Sequence, residues 1–176
     1  IQNLVKKQLE KREKLSKKQL EERSLKIALG AIKYLLLKTD IKKNITFDPK
    51  ASINFEGDTG PYVQYSYARA SSILKKSKIK SIQIKEFKEL EPKEIGLIKK
   101  LSEFQRLAQK AGNELNPTII ANYAYELAQI FNEFYHTCPV IGSKNKEVFR
   151  LKLVQSFRQV LENSLYLLGI DVLEEM

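Results

Sequence analysis

Three residues with side chains suited to binding RNA stand at helical spacing in the middle of the chain. Tyr62, Tyr65 and Arg69 occupy positions i, i+3 and i+7, which places them on one face of a helix. Tyrosine rings stack on unpaired bases and arginine binds phosphates, so this face is suited to single-stranded RNA. The alternative is that the tyrosines are core residues whose hydroxyl groups are hydrogen-bonded, which is common. The residues alone leave both interpretations open.

A lysine-rich stretch follows this face, with Lys75, Lys76, Lys78 and Lys80. The whole chain carries 31 basic and 21 acidic side chains, a formal net charge of +10. The excess lies in residues 1–100, which hold 24 basic and 12 acidic side chains, against 7 and 9 in the remainder. A positive field favours nucleic acid, acidic protein or a membrane surface as a partner. The alternative is a lysine-rich composition whose solvated helix faces happen to be basic.

The composition excludes several kinds of site. The single cysteine, Cys138, cannot form an internal disulfide, and the single histidine, His136, leaves no pair for a histidine-based metal site. The sequence contains neither GxxxxGK[ST] nor GxGxxG. We therefore expect no catalytic residue and no metal site in this chain. His136 follows a predicted helix and precedes a turn, which is typical of a surface or capping group.

The spacing of apolar residues predicts an all-α fold, a helical bundle of four or five helices preceded by an N-terminal helical arm. We expect helices over residues 4–38 in two pieces, 61–76, 92–112, 117–138 and 144–168. Ser16 and Gln19 form an S-x-x-Q capping box that opens the second piece of the first helix. Residues 39–60 have little periodicity, and short extended pieces are expected at 45–47 and 53–55.

Residues 56–74, EGDTGPYVQYSYARASSIL, resemble nearly residue for residue the segment that joins the catalytic domain of arginyl-tRNA synthetases to their anticodon-binding domain. Other segments resemble the same family, and they are IALGAIKYLL at 27–36, YAYELAQIFNEFYHTCPV at 123–140 and LLGIDVLEEM at 167–176. The resemblance covers nearly all 176 residues. It implies a helical bundle of the class I synthetase anticodon-binding type.

The resemblance also implies a function, tRNA anticodon stem-loop recognition by the C-terminal part of an arginine–tRNA ligase, which attaches arginine to its tRNA using ATP. Residues 1–58 would end the catalytic region and form a helical connection, and residues 59–176 would form the anticodon-binding bundle. The family's HIGH-like motif and lysine loop are absent, so we expect no catalysis by this chain alone. No cofactor is expected in it, whereas the whole enzyme would use ATP with magnesium.

The expected partner is the tRNA for arginine, bound by a monomer in the cytoplasm. No membrane partner is expected, because the longest apolar stretch, residues 28–37, is interrupted by Lys33 and is about half of the roughly 20 residues that span a bilayer. The start of the sequence has no charged n-region, apolar h-region and cleavage site in succession, so we expect no secretory signal.

Carried over position by position, the resemblance implies a set of tRNA-binding residues, namely Tyr62, Gln64, Tyr65, Arg69, Lys75, Tyr135 and Met176. The tyrosines would stack on bases, and Arg69 and Gln64 would bind phosphate or base edges. Met176 would add apolar packing and a terminal carboxylate. In the family the middle anticodon base is a main identity element, and Tyr135 matches a residue beside it.

Three further features are interpreted separately from this set of residues. Tyr67 occupies a position where the family often has a histidine, so we expect a ring that still stacks but carries no charge near neutral pH. Residues 14–18, KLSKK, are similar to the lysine loop of class I synthetases, although the capping box explains them more simply. The glycines of EGDTG are interpreted mainly as turn geometry.

Two other functions remain open from the sequence. One is a non-catalytic RNA-binding helical module related to synthetase anticodon-binding domains. The other is a basic helical module for acidic proteins or membranes, which would not need the tyrosine face.

Overall fold

The computed structural model describes residues 1–12, 14–40, 42–77 and 89–176, and within these ranges it contains helices and no strand. The helices are α1 (Gln2–Arg12), α2 (Lys17–Lys38), α3 (Pro49–Ser52), α4 (Gly60–Lys76), α5 (Pro92–Ser102), α6 (Phe104–Asn113), α7 (Thr118–Thr137) and α8 (Glu147–Leu167), with a 3₁₀ turn at Lys144–Lys146. The all-α prediction is confirmed. Two lysines of the predicted basic stretch, Lys78 and Lys80, lie outside the described residues.

Two predictions of local structure were wrong. The helix expected over 92–112 is divided at Glu103 into α5 and α6. The carbonyl oxygen of Lys100, in the last turn of α5, accepts a hydrogen bond from the Tyr123 hydroxyl at 3.0 Å, so a tertiary contact occupies this helix end. Neither 45–47 nor 53–55, where extended pieces were expected, forms a strand, and between them Asp48 caps the short helix α3 by accepting from the backbone N–H of Lys50 at 2.8 Å.

Helix α7 is the centre of the bundle, since α2, α4, α5, α6 and α8 all pack against it. Its apolar face is buried, and the ring of Phe131 stacks on that of Phe157 from α8 with centroids 3.7 Å apart. Tyr34, Tyr67 and Tyr123 are among the largest fully buried side chains. The core interpretation of tyrosine therefore holds for these three positions.

The N-terminal arm is a helical pair with its own apolar cluster. Helix α1 packs against α2, and the cluster is formed by Val5, Leu9, Ile27, Ala28, Ala31, Ile53 and Leu173. The predicted capping box at the start of α2 is confirmed, because Ser16 Oγ accepts from the N–H of Gln19 at 3.3 Å and Gln19 Oε1 accepts from the N–H of Ser16 at 3.1 Å.

The glycine-rich turn places α4 in contact with α2. A side chain at Gly60 would overlap the backbone carbonyl of Gly30, so the two helices approach at a glycine–glycine contact. Thr59 caps α4 by accepting from the N–H of Tyr62 at 3.2 Å. Asp58 accepts a hydrogen bond from the hydroxyl of Tyr34 at 2.5 Å, which joins the turn to α2. These contacts fix the start of the helix that carries the predicted RNA-facing residues.

Candidate nucleic-acid interface

A pocket of about 540 Å³ lies between the middle of α4, the end of α7, the turn after α7 and the last residue of the chain. It brings together four residues that the sequence predicted from distant positions, and these are Tyr65, Arg69, Tyr135 and Met176. The volume falls in the range of about 300–1,000 Å³ that is usual for small-molecule sites. The pocket can therefore admit one unstacked nucleotide.

The guanidinium of Arg69 stands between two aromatic rings at this pocket. Its Cζ lies 4.9 Å from the ring centroid of Tyr65 and 5.5 Å from that of Tyr135. Nη1 donates to Oδ1 of Asn132 at 2.6 Å, and Nη2 donates to the hydroxyl of Tyr65 at 3.3 Å. These bonds leave other N–H groups of the guanidinium available to a ligand. Since Tyr135 is 38% exposed, its ring is also accessible to a base.

A second cavity of about 400 Å³ continues the pocket on the other side of Arg69. Tyr65, Arg69 and His136 line both cavities, and Tyr62 lines only the second. The hydroxyl of Tyr62 accepts a hydrogen bond from Nδ2 of Asn132 at 2.8 Å. The tyrosine–arginine face predicted from the sequence is thus a partly exposed groove rather than a buried core surface.

The wall of the first pocket after α7 is held by a buried ion pair. Nε of Arg150 donates to Oε1 of Glu94 at 2.7 Å, and the two side chains are 7% and 0% exposed. Nη1 of Arg150 also donates to the carbonyl oxygen of Pro139 at 2.7 Å, and Pro139 lines the pocket. Losing either partner would leave an uncompensated buried charge, so breaking this ion pair is costly. The pair therefore connects α5, α8 and the pocket wall firmly.

Comparison with known proteins identifies the family of this chain. The DALR anticodon binding domain matches residues 63–176. The chain belongs to the DALR anticodon binding domain family. The match includes α4 from Val63 onward, α7 and Met176, and so it contains the four residues of the pocket.

Similar proteins are arginine–tRNA ligases and arginyl-tRNA synthetases. The chain is 45% identical over 156 residues to the arginine–tRNA ligase of Phocaeicola vulgatus, with 85% of this chain and 26% of that protein covered. It is 42% identical over 176 residues to that of Pyrococcus furiosus, covering 95% and 28%. The solved arginyl-tRNA synthetase of Thermus thermophilus is 34% identical with a TM-score of 0.92, over 99% of this chain and 31% of that one. The chain thus spans about a quarter of the length of the curated relatives it matches.

The predicted contact residue Gln64 does not reach the surface of this anticodon-binding domain. Its side chain is 0% exposed, and its Nε2 donates to the carbonyl oxygens of Asp171 at 2.8 Å and Lys26 at 3.3 Å. The spacing placed Gln64 beside Tyr65 on the helix, but the segment after α8 covers that face. The prediction that Gln64 binds RNA is wrong for this conformation, since the amide holds two parts of the chain together.

Lys75 is exposed, but its charge already has partners within the domain. Its Nζ lies 3.3 Å from Oε1 of Glu175 and 3.8 Å from Oε2 of Glu174. Tyr67, expected to offer a stacking ring, is 0% exposed, so that expectation was wrong. Its hydroxyl donates to Glu174 at 3.2 Å instead. Three of the acceptors that meet this side of α4 come from residues 171–175, and they are the carbonyl of Asp171 and the carboxylates of Glu174 and Glu175.

Two residues of the groove were missed as contacts by the sequence reasoning. Asn132 binds Arg69, Tyr62 and Ser66, and His136 lies at the end of α7 with its side chain exposed. They stand three residues before and one residue after Tyr135, so they are one helical turn apart. The sequence signal for both is polar residues at this spacing around Tyr135 in α7.

Other kinds of site receive no support from the described part of the chain. No group of three or more His, Cys, Asp or Glu side chains that could hold a metal ion occurs among the described residues. Among those residues, no helix combines the length and the apolar character needed to cross a lipid bilayer. The predicted division between residues 1–58 and 59–176 stays a prediction.

Proposed function

We propose that this chain binds the anticodon loop of the tRNA for arginine and recognises the middle anticodon base in the pocket of Tyr65, Arg69, Tyr135 and Met176. The observation that supports this most strongly is the guanidinium of Arg69, whose Cζ lies 4.9 and 5.5 Å from two tyrosine ring centroids and which lines a space of about 540 Å³. An unpaired base can stack on the exposed ring of Tyr135 while Arg69 binds its edge. Met176 supplies an apolar wall.

The middle base of arginine anticodons is cytosine, because all arginine codons have guanine at the second position. The Watson–Crick edge of cytosine presents two neighbouring acceptors, O2 and N3, whereas uracil presents an N–H donor at N3. A guanidinium has only donors, so it matches cytosine and is mismatched to uracil at N3. Arg69 is therefore proposed to distinguish the two bases, and Lys76 on the same helix to attract the phosphate backbone without regard to sequence.

The test is a titration of an arginine anticodon stem-loop into the 176-residue chain, compared with the same stem-loop carrying uracil at the middle position. We expect Arg69→Ala and Tyr135→Ala to weaken binding of the cytosine loop by about tenfold or more, and to lower the preference over uracil. Arg106→Ala, on the exposed face of α6, is the matched control. Equal losses for both loops would mean that these side chains do not discriminate between bases.

We further propose that the longer protein is an arginine–tRNA ligase that uses ATP with magnesium, bound outside these residues, and that it acts as a monomer in the cytoplasm. The supporting observation is the 45% identity to a named arginine–tRNA ligase over most of this chain. Reading the coding sequence upstream tests this proposal. A class I active site with a HIGH-like motif supports it, and an unrelated domain would contradict it.

A further inference from the structure

The segment after α8 runs along one side of α4. The carbonyl of Asp171 is bound by Gln64, the carboxylate of Glu174 by Tyr67, and the carboxylate of Glu175 by Lys75 at the end of the helix. The segment from Asp171 to Met176 is called the tail below. It follows α4 from its second turn to its last, and these bonds occupy the side of the helix that faces away from Arg69.

Glu174 is the most closely held side chain of the tail. Its Oε1 accepts from the hydroxyl of Tyr67 at 3.2 Å and from Nη2 of Arg158 at 2.8 Å. Nε of Arg158 donates to the Tyr67 oxygen at 3.0 Å, so the three groups form a closed triangle. Burial raises the pKa of Tyr67, although the hydrogen bond from Arg158 acts in the opposite direction. The hydroxyl therefore keeps its proton and remains a donor to Glu174 at neutral pH.

The tail ends on the recognition pocket. Met176 stands two residues after Glu174, lines the pocket with Arg69 and Tyr135, and packs against the apolar cluster of α1 and α2. Because only two residues separate them, holding Glu174 limits the positions that Met176 can reach to within about 7 Å of backbone length. The position of the apolar wall thus depends on the triangle of Glu174, Tyr67 and Arg158.

We propose that Glu174, held by Tyr67 and Arg158, is a positioning residue that sets Met176 as a wall of the pocket and so sets the preference for the middle base. This inference rests on the proposed function. The alternative is that Glu174 acts through its charge alone. A carboxylate near bound RNA repels phosphates, so its removal would then strengthen binding of every RNA. The two possibilities predict changes of opposite sign.

The test compares Glu174→Gln and Tyr67→Phe with Asp171→Asn as the matched control. Asp171 belongs to the same tail, and its exposed side chain makes no hydrogen bond or ion pair among the described contacts, whereas Glu175 stands next to Met176 and pairs with both Lys75 and Arg23. We expect Glu174→Gln and Tyr67→Phe to weaken binding of the cytosine stem-loop by about three- to tenfold and to leave the uracil stem-loop nearly unchanged. Asp171→Asn should strengthen both slightly, with no change in preference.

The single methionine of the chain gives a direct readout of position. The chain is labelled with ¹³C-methyl methionine and released from a cleavable fusion. Met176 then gives the one methionine methyl resonance. We expect that resonance to move toward the value of a disordered methionine in Glu174→Gln and Tyr67→Phe, and to stay in place in Asp171→Asn. Tyr67→Phe keeps the buried ring, so it remains informative if Glu174→Gln lowers the yield of folded protein.

A double variant separates positioning from other effects. If Glu174 acts through Met176, then Met176→Ala and the double variant Glu174→Gln/Met176→Ala should show equal losses of preference for the cytosine stem-loop over the uracil stem-loop. Additive losses, an unmoved Met176 resonance, or equally tighter binding of both stem-loops would each overturn the inference. A wild-type chain without preference between the stem-loops would overturn the proposed function instead. The Met176 resonance of the free protein would still test the positioning step by itself.

Discussion

Asn132 on α7 fixes the direction of Arg69 on α4, because its Oδ1 accepts a hydrogen bond from Nη1 of Arg69 at 2.6 Å. The Nδ2 group of the same amide donates to the hydroxyls of Tyr62 at 2.8 Å and Ser66 at 3.1 Å. One amide thus binds three side chains of α4 and spends both its donor and its acceptor groups on them. The guanidinium reaches the pocket in one orientation, already prepared for a ligand.

Replacing this amide tests the prepared orientation. We expect Asn132→Ala to weaken binding of the cytosine stem-loop by about three- to tenfold, since Arg69 must then be ordered when the ligand binds. The midpoint of thermal unfolding should also fall, because three partners lose a hydrogen bond. Asn163→Ala on the exposed face of α8 should change neither quantity. Unchanged binding by Asn132→Ala would show that Arg69 needs no support from α7.

Lys75 and Lys76 are adjacent, exposed and equally charged, but they differ in their partners. Lys75 pairs with Glu174 and Glu175, whereas Lys76 makes no ion pair with any described residue. Lys76→Ala should therefore weaken both stem-loops alike and reduce the slope of log affinity against log salt by about 1. Lys75→Ala should change that slope less. Titrations at several salt concentrations measure both slopes, and a larger effect at Lys75 would contradict the pairing argument.

Alanine should have opposite effects at two helical glycines, Gly60 and Gly96, because their surroundings differ. Gly60→Ala would place a methyl group onto the carbonyl of Gly30, so α2 and α4 must separate, at a cost of about 1–3 kcal/mol in the free energy of unfolding. Gly96→Ala in α5 meets no atom within 4 Å and should stabilise the fold by about 0.5–1 kcal/mol. Urea unfolding measures both. A stabilised Gly60→Ala variant would mean that the helices are not in backbone contact.

Tyr34 gives the stability a defined pH dependence. Burial raises the pKa of its hydroxyl, and the hydrogen bond to Asp58 raises it further. The unfolded chain ionises this group near pH 10, whereas the folded chain keeps the proton to higher pH. The contribution of Tyr34 is thus complete below about pH 10 and is lost as the pH rises above that value. We expect urea unfolding between pH 8 and pH 11 to show that the free energy of unfolding falls more steeply with pH for wild type than for Tyr34→Phe. Equal slopes would contradict the shift.

Much of the fold was predictable because local rules dominate helix boundaries. Pro61, Pro92 and Pro117 stand at or next to the starts of α4, α5 and α7, and the S-x-x-Q pattern marks the start of α2. The break at Glu103 was not predictable, because apolar spacing continues across it and the Lys100 carbonyl at this helix end is bound by Tyr123 on another helix. A single-sequence pattern contains no record of such a tertiary partner.

The site was predictable where the exposure of a side chain follows from helical spacing. The prediction failed where another segment of the chain covers the helix. Tyr65 and Arg69 share one face of α4, and that face is open. Gln64 and Tyr67 lie around the helix from it, and the tail covers them. Nothing in the spacing within α4 indicates that residues more than a hundred positions later will lie there. The resemblance identified Met176 as a pocket residue, but it did not identify Glu174.

The position of the tail on α4 has a consequence for biosynthesis. Met176 is added to the growing chain after every other residue that lines the pocket. During translation the helices can assemble and the tyrosine–arginine groove can form, yet the wall opposite Arg69 is missing until the last codon of this sequence has been read. A nascent or truncated chain would thus present a basic, open surface without the methionine that we propose contributes to base preference.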